Sequence, residues 1–279
     1  MEDKLNSDSV IYHYTKASTA INQILPNSQL RFSRLGDSND PLEYKLLFPG
    51  VAVWGPEEGL SNLTYEASSE INRLRQRDFR MISFCKNREA QTSGDNNMDL
   101  LGYAKSRMWS QYGDKHEGVC LALDKNLLLN KINELKIDTV YADHTTYKYT
   151  DMGRAINLDG NAMQNRGVKN YCLEHVKNHN KIFFFTKNPD YKDENEFRIV
   201  VYSNTEEAEL YVDIADSLVG IIIGDRFPDG YLPSLKYIAE KLNVKCRRLY
   251  WYHGKPHLLY CAPISTDLRD KWNDLEMRD

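Results

Sequence analysis

Long apolar runs are missing from this sequence. The longest, IFFFT at 182–186 and LVGIIIG at 218–224, fall far short of a bilayer-spanning stretch. The opening MEDKLNSDSV is polar and acidic, whereas a secretory leader needs a basic start and an apolar middle. Cysteine is scarce too: Cys85, Cys120, Cys172, Cys246 and Cys261 are the five, with no C-x-x-C among them. An odd, dispersed set argues against a disulfide framework and a cysteine zinc site, and for reduced thiols in a cytoplasm. Neither sign of charge dominates. Lys plus Arg is 36 and Asp plus Glu is 40, a formal net charge of −4, so any electrostatic case for nucleic acid must be local. No G-x-G-x-x-G fingerprint, Walker loop or H-E-x-x-H appears, which argues against dinucleotide binding on a doubly wound sheet and against the commonest zinc-hydrolase site. There is no internal repeat and no low-complexity linker.

What remains is a chain of 279 residues, 41% apolar, enough for a full core. Tyrosine is overused, 18 against 9 phenylalanines, and a side chain with both a stacking face and a hydroxyl suits ring-shaped ligands. VIYHYT (10–15) reads as a first strand. The following KASTAINQIL reads as a helix, with Thr15 placed to cap it. Leu60, Leu63, Ala67, Ile71 and Leu74 recur at three and four across 57–77, which predicts a helix. RMISFC, GVCLALD, NEFRIVVY, LVGIIIG, KCRRLYWY and HLLYCA read as strands. DLLGYAKSRMWSQYG reads as a helix closed by Gly113. Strands and helices mix without regular alternation, so the expected class is α+β.

The stretch KDENEFRIVV (192–201) sets Glu194, Glu196 and Arg198 at alternate positions. Side chains two apart on a strand share a face, so three charges would stand in a row while Phe197 and Ile199 pack behind. A buried face does not tolerate unpaired carboxylates. The row is therefore a solvated edge, a salt bridge to Arg198, or a site where a carboxylate meets a ligand. IYHYT places His13 inside an apolar strand with Thr15 on its face; taken alone, a core histidine satisfied by backbone and a helix-capping threonine are the preferred explanation. GDSNDPLEY reads first as a helix start, with Asp40 the N-cap, Pro41 at the first helical position and Glu43 three on. Asn39 is then the residue with most left to explain. MWSQYGDKHEGVC gathers Trp109, Tyr112, His116 and Glu117; core packing suffices for Trp109 and leaves Tyr112 and His116 open. His175 and His179 in EHVKNH have metal-ligand spacing but no third ligand in step, and read as a solvated face. The basic RLRQRDFR (Arg73, Arg75, Arg77, Arg80) and KCRR (Lys245, Arg247, Arg248) read as solvated ends rather than phosphate contacts.

Taken together, the order YHYT, IL, LRFS, NDPLE, then SF, then MWSQYG-x-x-H-x-G, then E-x-E-x-R resembles a bacterial family catalogued as domain of unknown function 2971. LVGIIIG and the elements after it are similar to that family's C-terminal part, so the resemblance runs from about Val10 to Ala262. The family in turn resembles ADP-ribosyltransferases, in particular the DarT-like toxins that modify DNA, through the YH-x-T strand and the late E-x-E strand.

This resemblance implies a mostly antiparallel, split sheet with surrounding helices. It implies one domain over 10–262, between a flexible tail at 1–9 and a polar tail at 263–279. It implies NAD as substrate and no metal. His13 and Thr15 would hold the nicotinamide end, with Ser83 on the next strand and Tyr112 stacking on the ring. Glu196 would be the catalytic glutamate, in a partly open cleft where its loss costs within about 1 kcal/mol of stability. Glu194 would meet the acceptor, and Arg198 would orient Glu196 or touch the pyrophosphate. The acceptor would be nucleic acid or protein, and the role that of a toxin or anti-phage effector with an antitoxin or defence-system partner, without membrane contact. The sequence departs in lacking a clear ADP-ribosylating turn-turn loop. NAD hydrolysis, or a catalytically silent nucleotide-binding or interaction module of the same fold, are the alternatives.

Overall fold

A computed structural model describes residues 5–38, 40–54, 60–88, 100–149, 157–203 and 209–261. Asn39, most of the polar loop after Arg88 and the segment 263–279 lie outside these. The main strands are β1 (Val10–Thr15), β2 (Ser33–Arg34), β3 (Phe79–Lys86), β4 (Val119–Asp124), β5 (Val140–His144), β6 (Glu196–Tyr202), β7 (Leu218–Ile223), β8 (Lys245–Tyr252) and β9 (Lys255–Tyr260). The helices that matter below are α1 (Pro41–Tyr44), α2 (Leu60–Arg73), α3 (Lys125–Glu134), α4 (Val168–Asn178) and α5 (Leu232–Lys241). The class is α+β with mostly antiparallel pairing; β7 and β8 run parallel. None of the described helices is long and apolar enough to cross a membrane.

The chain divides into two compact units, neither contiguous in sequence. The first takes 1–30, 84–135 and 211–279; the second takes 31–83 and 136–210. In the first unit the strand order is β9-β8-β7-β4-β1, with the end of β3 beside β1. β4 lies between β1 and β7, and its VCLAL run is fully buried, as a strand covered on both faces should be. On β1 the pleat sends Tyr12 and Tyr14 into a core with Met108, Trp109, Ala122, Ile222 and Leu249. The Tyr14 hydroxyl donates to the Gly102 carbonyl at 2.6 Å, and the Trp109 indole N–H to the Tyr103 carbonyl at 2.7 Å. Residues 5–9, expected in a tail, are tied to this core. Leu5 is fully buried, and its carbonyl accepts from Tyr12 Oη at 2.5 Å.

Three local expectations in this unit need correction. Thr15 does not cap a helix; it ends β1 opposite Val119, and Lys16 takes the N-cap position without a side-chain bond. The helix before Gly113 is only Ser106–Gln111. Gly113 has φ −93, and is glycine for room, since a Cβ there would stand 2.7 Å from the Trp109 ring. The left-handed residues are the next three, Asp114, Lys115 and His116, at φ 49, 55 and 72. They curl the chain against Gly224, where a Cβ would meet the His116 carbonyl oxygen at 2.0 Å. That close approach explains the glycine closing LVGIIIG.

In the second unit β2 pairs β3, β3 neighbours β6, and β6 pairs β5 antiparallel from Phe197↔His144 to Val201↔Val140. α2 presents Ala67 and Ile71 to a core completed by Phe79, Met81, Cys172, Val176, Phe183–Phe185 and Val200, the apolar stripe that its three-and-four spacing predicts. α1 begins where expected. Asp40 is its N-cap, Oδ1 accepting from the Leu42 N–H at 2.9 Å, with Pro41 first in the helix.

The arginines of RLRQRDFR are not the solvated face expected. Arg77 is exposed, but Arg75 is fully buried and Arg80 nearly so. Arg75 donates to the carbonyls of Leu42 at 2.5 Å, Glu43 at 2.7 Å and Lys45 at 2.9 Å, closing the C-terminal end of α1. A guanidinium satisfies several of a helix's orphan carbonyls at once. Hydrogen bonds to a charged group contribute about 1.5–3 kcal/mol. Arg75→Met is therefore expected to lower the unfolding free energy by at least that much, read by denaturant titration; Arg77→Met, at an exposed position, should stay within about 0.5 kcal/mol.

Candidate functional site

The E-x-E-x-R row is only partly a row. β6 begins at Glu196; Glu194 ends a 3-10 turn over Pro189–Glu194, and Asn195 between them is left-handed at φ 47. The turn still brings both glutamates to one buried place. Lys187 Nζ lies 2.8 Å from Glu194 Oε2 and 3.4 Å from Glu196 Oε2. Arg198 grips Glu196 in a fork, Nε to Oε1 and Nη2 to Oε2, both at 2.9 Å. Nη1 of Arg198 donates to the Phe184 carbonyl at 2.6 Å, and Nη2, besides holding Glu196, donates to the carboxylate of Glu43. Ser83 hydrogen-bonds the Glu196 carboxylate, and Thr145 Oγ1 lies 3.4 Å from it. The Glu196 N–H donates to Tyr147 Oη at 2.8 Å.

This contradicts the partly open cleft expected for Glu196. Glu196 is 6% exposed, Glu194 3%, Glu43 3% and Arg198 not at all. Every one of these side chains has a partner of opposite charge. Burial alone would raise the Glu196 pKa; the neighbouring Arg198 and Lys187 outweigh it and bring it down to about 2. Burial also works against Lys187 and Arg198, and the carboxylates around them push both upward instead.

Glu43 is the participant that sequence reasoning spent elsewhere. The D-P-x-E spacing assigns it to a capping box, where it would return to the Asp40 N–H. That N–H instead donates to Ser38 Oγ at 3.1 Å. Glu43 turns inward to accept from Arg198 and from the Ser38 hydroxyl. Lys187, Thr145 and Tyr147 were also missed. Lys187 sits in TKNPDYKDENE, seven residues before Glu194, with no period to single it out.

A charge count then separates Asp40 from the rest. Glu43, Glu194 and Glu196 are matched by Lys187, Arg198 and the nearby Arg75. Asp40 is a fourth carboxylate, feeling Glu43, Lys187 and Arg198. It is 3% exposed, and its Oδ2 has no hydrogen-bond partner among the described residues. Burial raises its pKa. Beside it Tyr191, half-buried, covers Lys187 with its ring at 4.6 Å and feels the Asp40 charge.

Residues 108–199 match the family model DUF2971, described as a protein of unknown function. No curated protein and no solved structure matches the chain. Lys187, Glu194, Glu196 and Arg198 fall inside the DUF2971 match; Asp40, Glu43 and Ser83 fall outside it.

The other sequence candidates belong to the first unit. His13 is half-buried on β1, edge-on to Phe84 at 5.8 Å between centroids, and Thr15 is buried two residues on. Tyr112 caps the Ser106–Gln111 helix and packs against the first unit's core; His116 stacks near Trp109 at 6.4 Å. No group of His, Cys, Asp and Glu suited to a metal occurs among the described residues. His175 and His179 stack on each other at 4.2 Å, both half-buried, so they are not the solvated face expected.

Glu196→Gln keeps the shape but takes from Arg198 the carboxylate it grips through two hydrogen bonds and from Lys187 one of its two anions; breaking a buried pair from one side costs about 3–5 kcal/mol. Denaturant unfolding at neutral pH reads this loss. The pH dependence has a fixed sign. A depressed carboxyl adds stability that is full above its ordinary value of 4.5 and is lost as pH falls toward about 2. The gap between wild type and Glu196→Gln is therefore expected to narrow over that window; a gap constant with pH would rule out an ionised, paired Glu196.

Proposed function

We propose that this chain is an NAD-dependent ADP-ribosyltransferase, with the acid-rich cluster of the second unit acting on the ribose as nicotinamide leaves. The observation that supports this best is the buried carboxylate of Asp40, whose Oδ2 has no hydrogen-bond partner among the described residues and which feels the same Lys187 and Arg198 that hold the E-x-E pair. A buried carboxylate without a counter-cation lowers stability. A ligand bearing a hydroxyl, or one that develops positive charge, supplies the missing partner. A ribose losing nicotinamide does both: the glycosidic C–N bond breaks, its electron pair leaves on nicotinamide, and positive charge grows on the sugar. One carboxylate placed against that charge contributes roughly 3–4 kcal/mol, two to three decades in rate.

In this reading Asp40, as buried as Glu196, contacts the sugar when the half-buried Tyr191 beside it turns aside. Glu196 and Glu194 are positioning residues: they hold Lys187 and Arg198 ionised and in place, and through them set the field on Asp40. The family resemblance assigns His13, Thr15 and Tyr112 to the nicotinamide end of NAD, an assignment tested separately by His13→Ala, whose expected effect is weaker NAD binding. The acceptor, nucleic acid or protein, supplies the attacking atom; with water in its place the activity is NAD hydrolysis. A second reading, a silent nucleotide-binding module, is favoured by the complete pairing of Glu196.

The deciding experiment gives the purified full chain NAD labelled in its adenylate half, together with a mixed DNA, RNA and protein extract. Calorimetric NAD binding, nicotinamide release and label transfer are scored separately. Transfer supports the proposal, release without transfer makes the protein a hydrolase, and binding without release makes it a silent module. Absence of binding overturns all three.

Asp40→Asn sharpens the test, because asparagine caps a helix as well as aspartate does. It should lower nicotinamide release about 10²–10³-fold while raising the melting temperature at neutral pH, since a surplus buried charge is gone. Unchanged release with lower stability would make Asp40 a helix cap and nothing more.

A further inference from the structure

Two of the five cysteines, Cys246 and Cys261, are neighbours in the fold at the open end of one hairpin. β8 and β9 pair from Tyr252↔Lys255 to Arg247↔Tyr260. The turn between them is two residues, His253 and Gly254, both left-handed at φ 48 and 76. A turn of this kind matches the strand twist and fixes the register. One step beyond Arg247↔Tyr260 sets Cys246 opposite Cys261. Residues directly opposed on antiparallel strands have Cα atoms about 4.5–5.5 Å apart, inside the range a disulfide spans. The two thiols already hydrogen-bond each other. Both are reduced and half-buried, whereas Cys85, Cys120 and Cys172 are buried. Arg247 lies over the Tyr260 ring at 4.6 Å, which holds the neighbouring cross-strand pair in place.

The two sulfurs are not equivalent. The bond from Cys246 lowers the Cys261 pKa, assisted by Arg248, Lys236 and Arg247. Its counterpart and burial push Cys246 up. A lowered thiol beside cations is the one that attacks first.

We propose that Cys246 and Cys261 form a modification site, a dithiol that closes to a cross-strand disulfide by exchange with a low-molecular-weight disulfide. Cys261 gives its proton to solvent and attacks one sulfur of the reagent, releasing one thiolate and leaving a mixed disulfide; the second thiolate, released later, takes a proton back from solvent. Cys246 gives up its proton to that thiolate and attacks the Cys261 sulfur, expelling the second. Two protein thiols are oxidised and one reagent disulfide is reduced to two thiols. This site is separate from the acid-rich cluster and does not depend on the proposed activity.

The test incubates the full-length protein with oxidised glutathione, alkylates the remaining thiols and maps every cysteine by mass spectrometry. Wild type is expected to lose Cys246 and Cys261 together, joined to each other, while Cys85, Cys120 and Cys172 stay alkylatable. Cys246→Ser should stop at the glutathione adduct on Cys261; Cys261→Ser should leave Cys246 largely unreacted. A stable glutathione adduct on wild-type Cys261, or earlier loss of the three buried cysteines, overturns the proposal. The wild-type map decides even if a serine variant fails to fold.

Discussion

The second unit is organised around a guanidinium that water cannot reach. Arg198 is wholly buried, and a charge in that position is tolerable only with anions and acceptors around it. β6 supplies one anion itself, since Glu196 lies two residues before Arg198 on the same strand. The other, Glu43, comes from 155 residues away in sequence. α1 therefore cannot be placed freely. It must arrive with Glu43 inward, and Arg75 fixes its far end by taking the carbonyls that the helix leaves open. Lys187 and Glu194 extend the same pattern along the turn that feeds β6.

Stability alone does not explain such a network. Removing one partner from a buried ion pair is costly, yet replacing a whole set by apolar residues of similar volume is often neutral or stabilising, by about 1–4 kcal/mol. An all-apolar version of this cluster would serve a purely structural role as well or better. What ionic partners add is a fixed geometry and a fixed local field. The fixed geometry already has one structural use, since it sets where α1 must lie.

The elements that follow from periodicity were legible in the sequence. β1, β4 and α2 lie where their apolar patterns place them, and the D-P start of α1 reads correctly because capping is local chemistry. The site was half legible. Ser83, Glu194, Glu196 and Arg198 do meet, and the salt bridge to Arg198 was one of the outcomes the charged row allowed. The missing half, Glu43 and Lys187, depends on long-range packing. Glu43 had an adequate local explanation in the capping box, and that explanation concealed its partner. The Arg73–Arg80 run misled for the same reason: a basic helix end looks solvated until the carbonyls it must satisfy are known. Cys246 and Cys261 look dispersed because register, not spacing, makes them neighbours.

The division of the chain bears on how the protein can be cut. β3 is shared, its residues 79–83 belonging to one unit and 84–86 to the other, and each unit is threaded through the other in sequence. The 108–199 segment begins in one unit and ends in the other. Expressed by itself, it would carry Arg198, Glu196 and Lys187 without Glu43 or Ser83, and the first unit's β4 without β1 or β7. The boundaries of the matched segment therefore coincide with those of neither unit. The smallest piece that keeps the ion network intact runs from before Glu43 to beyond Arg198, across both units.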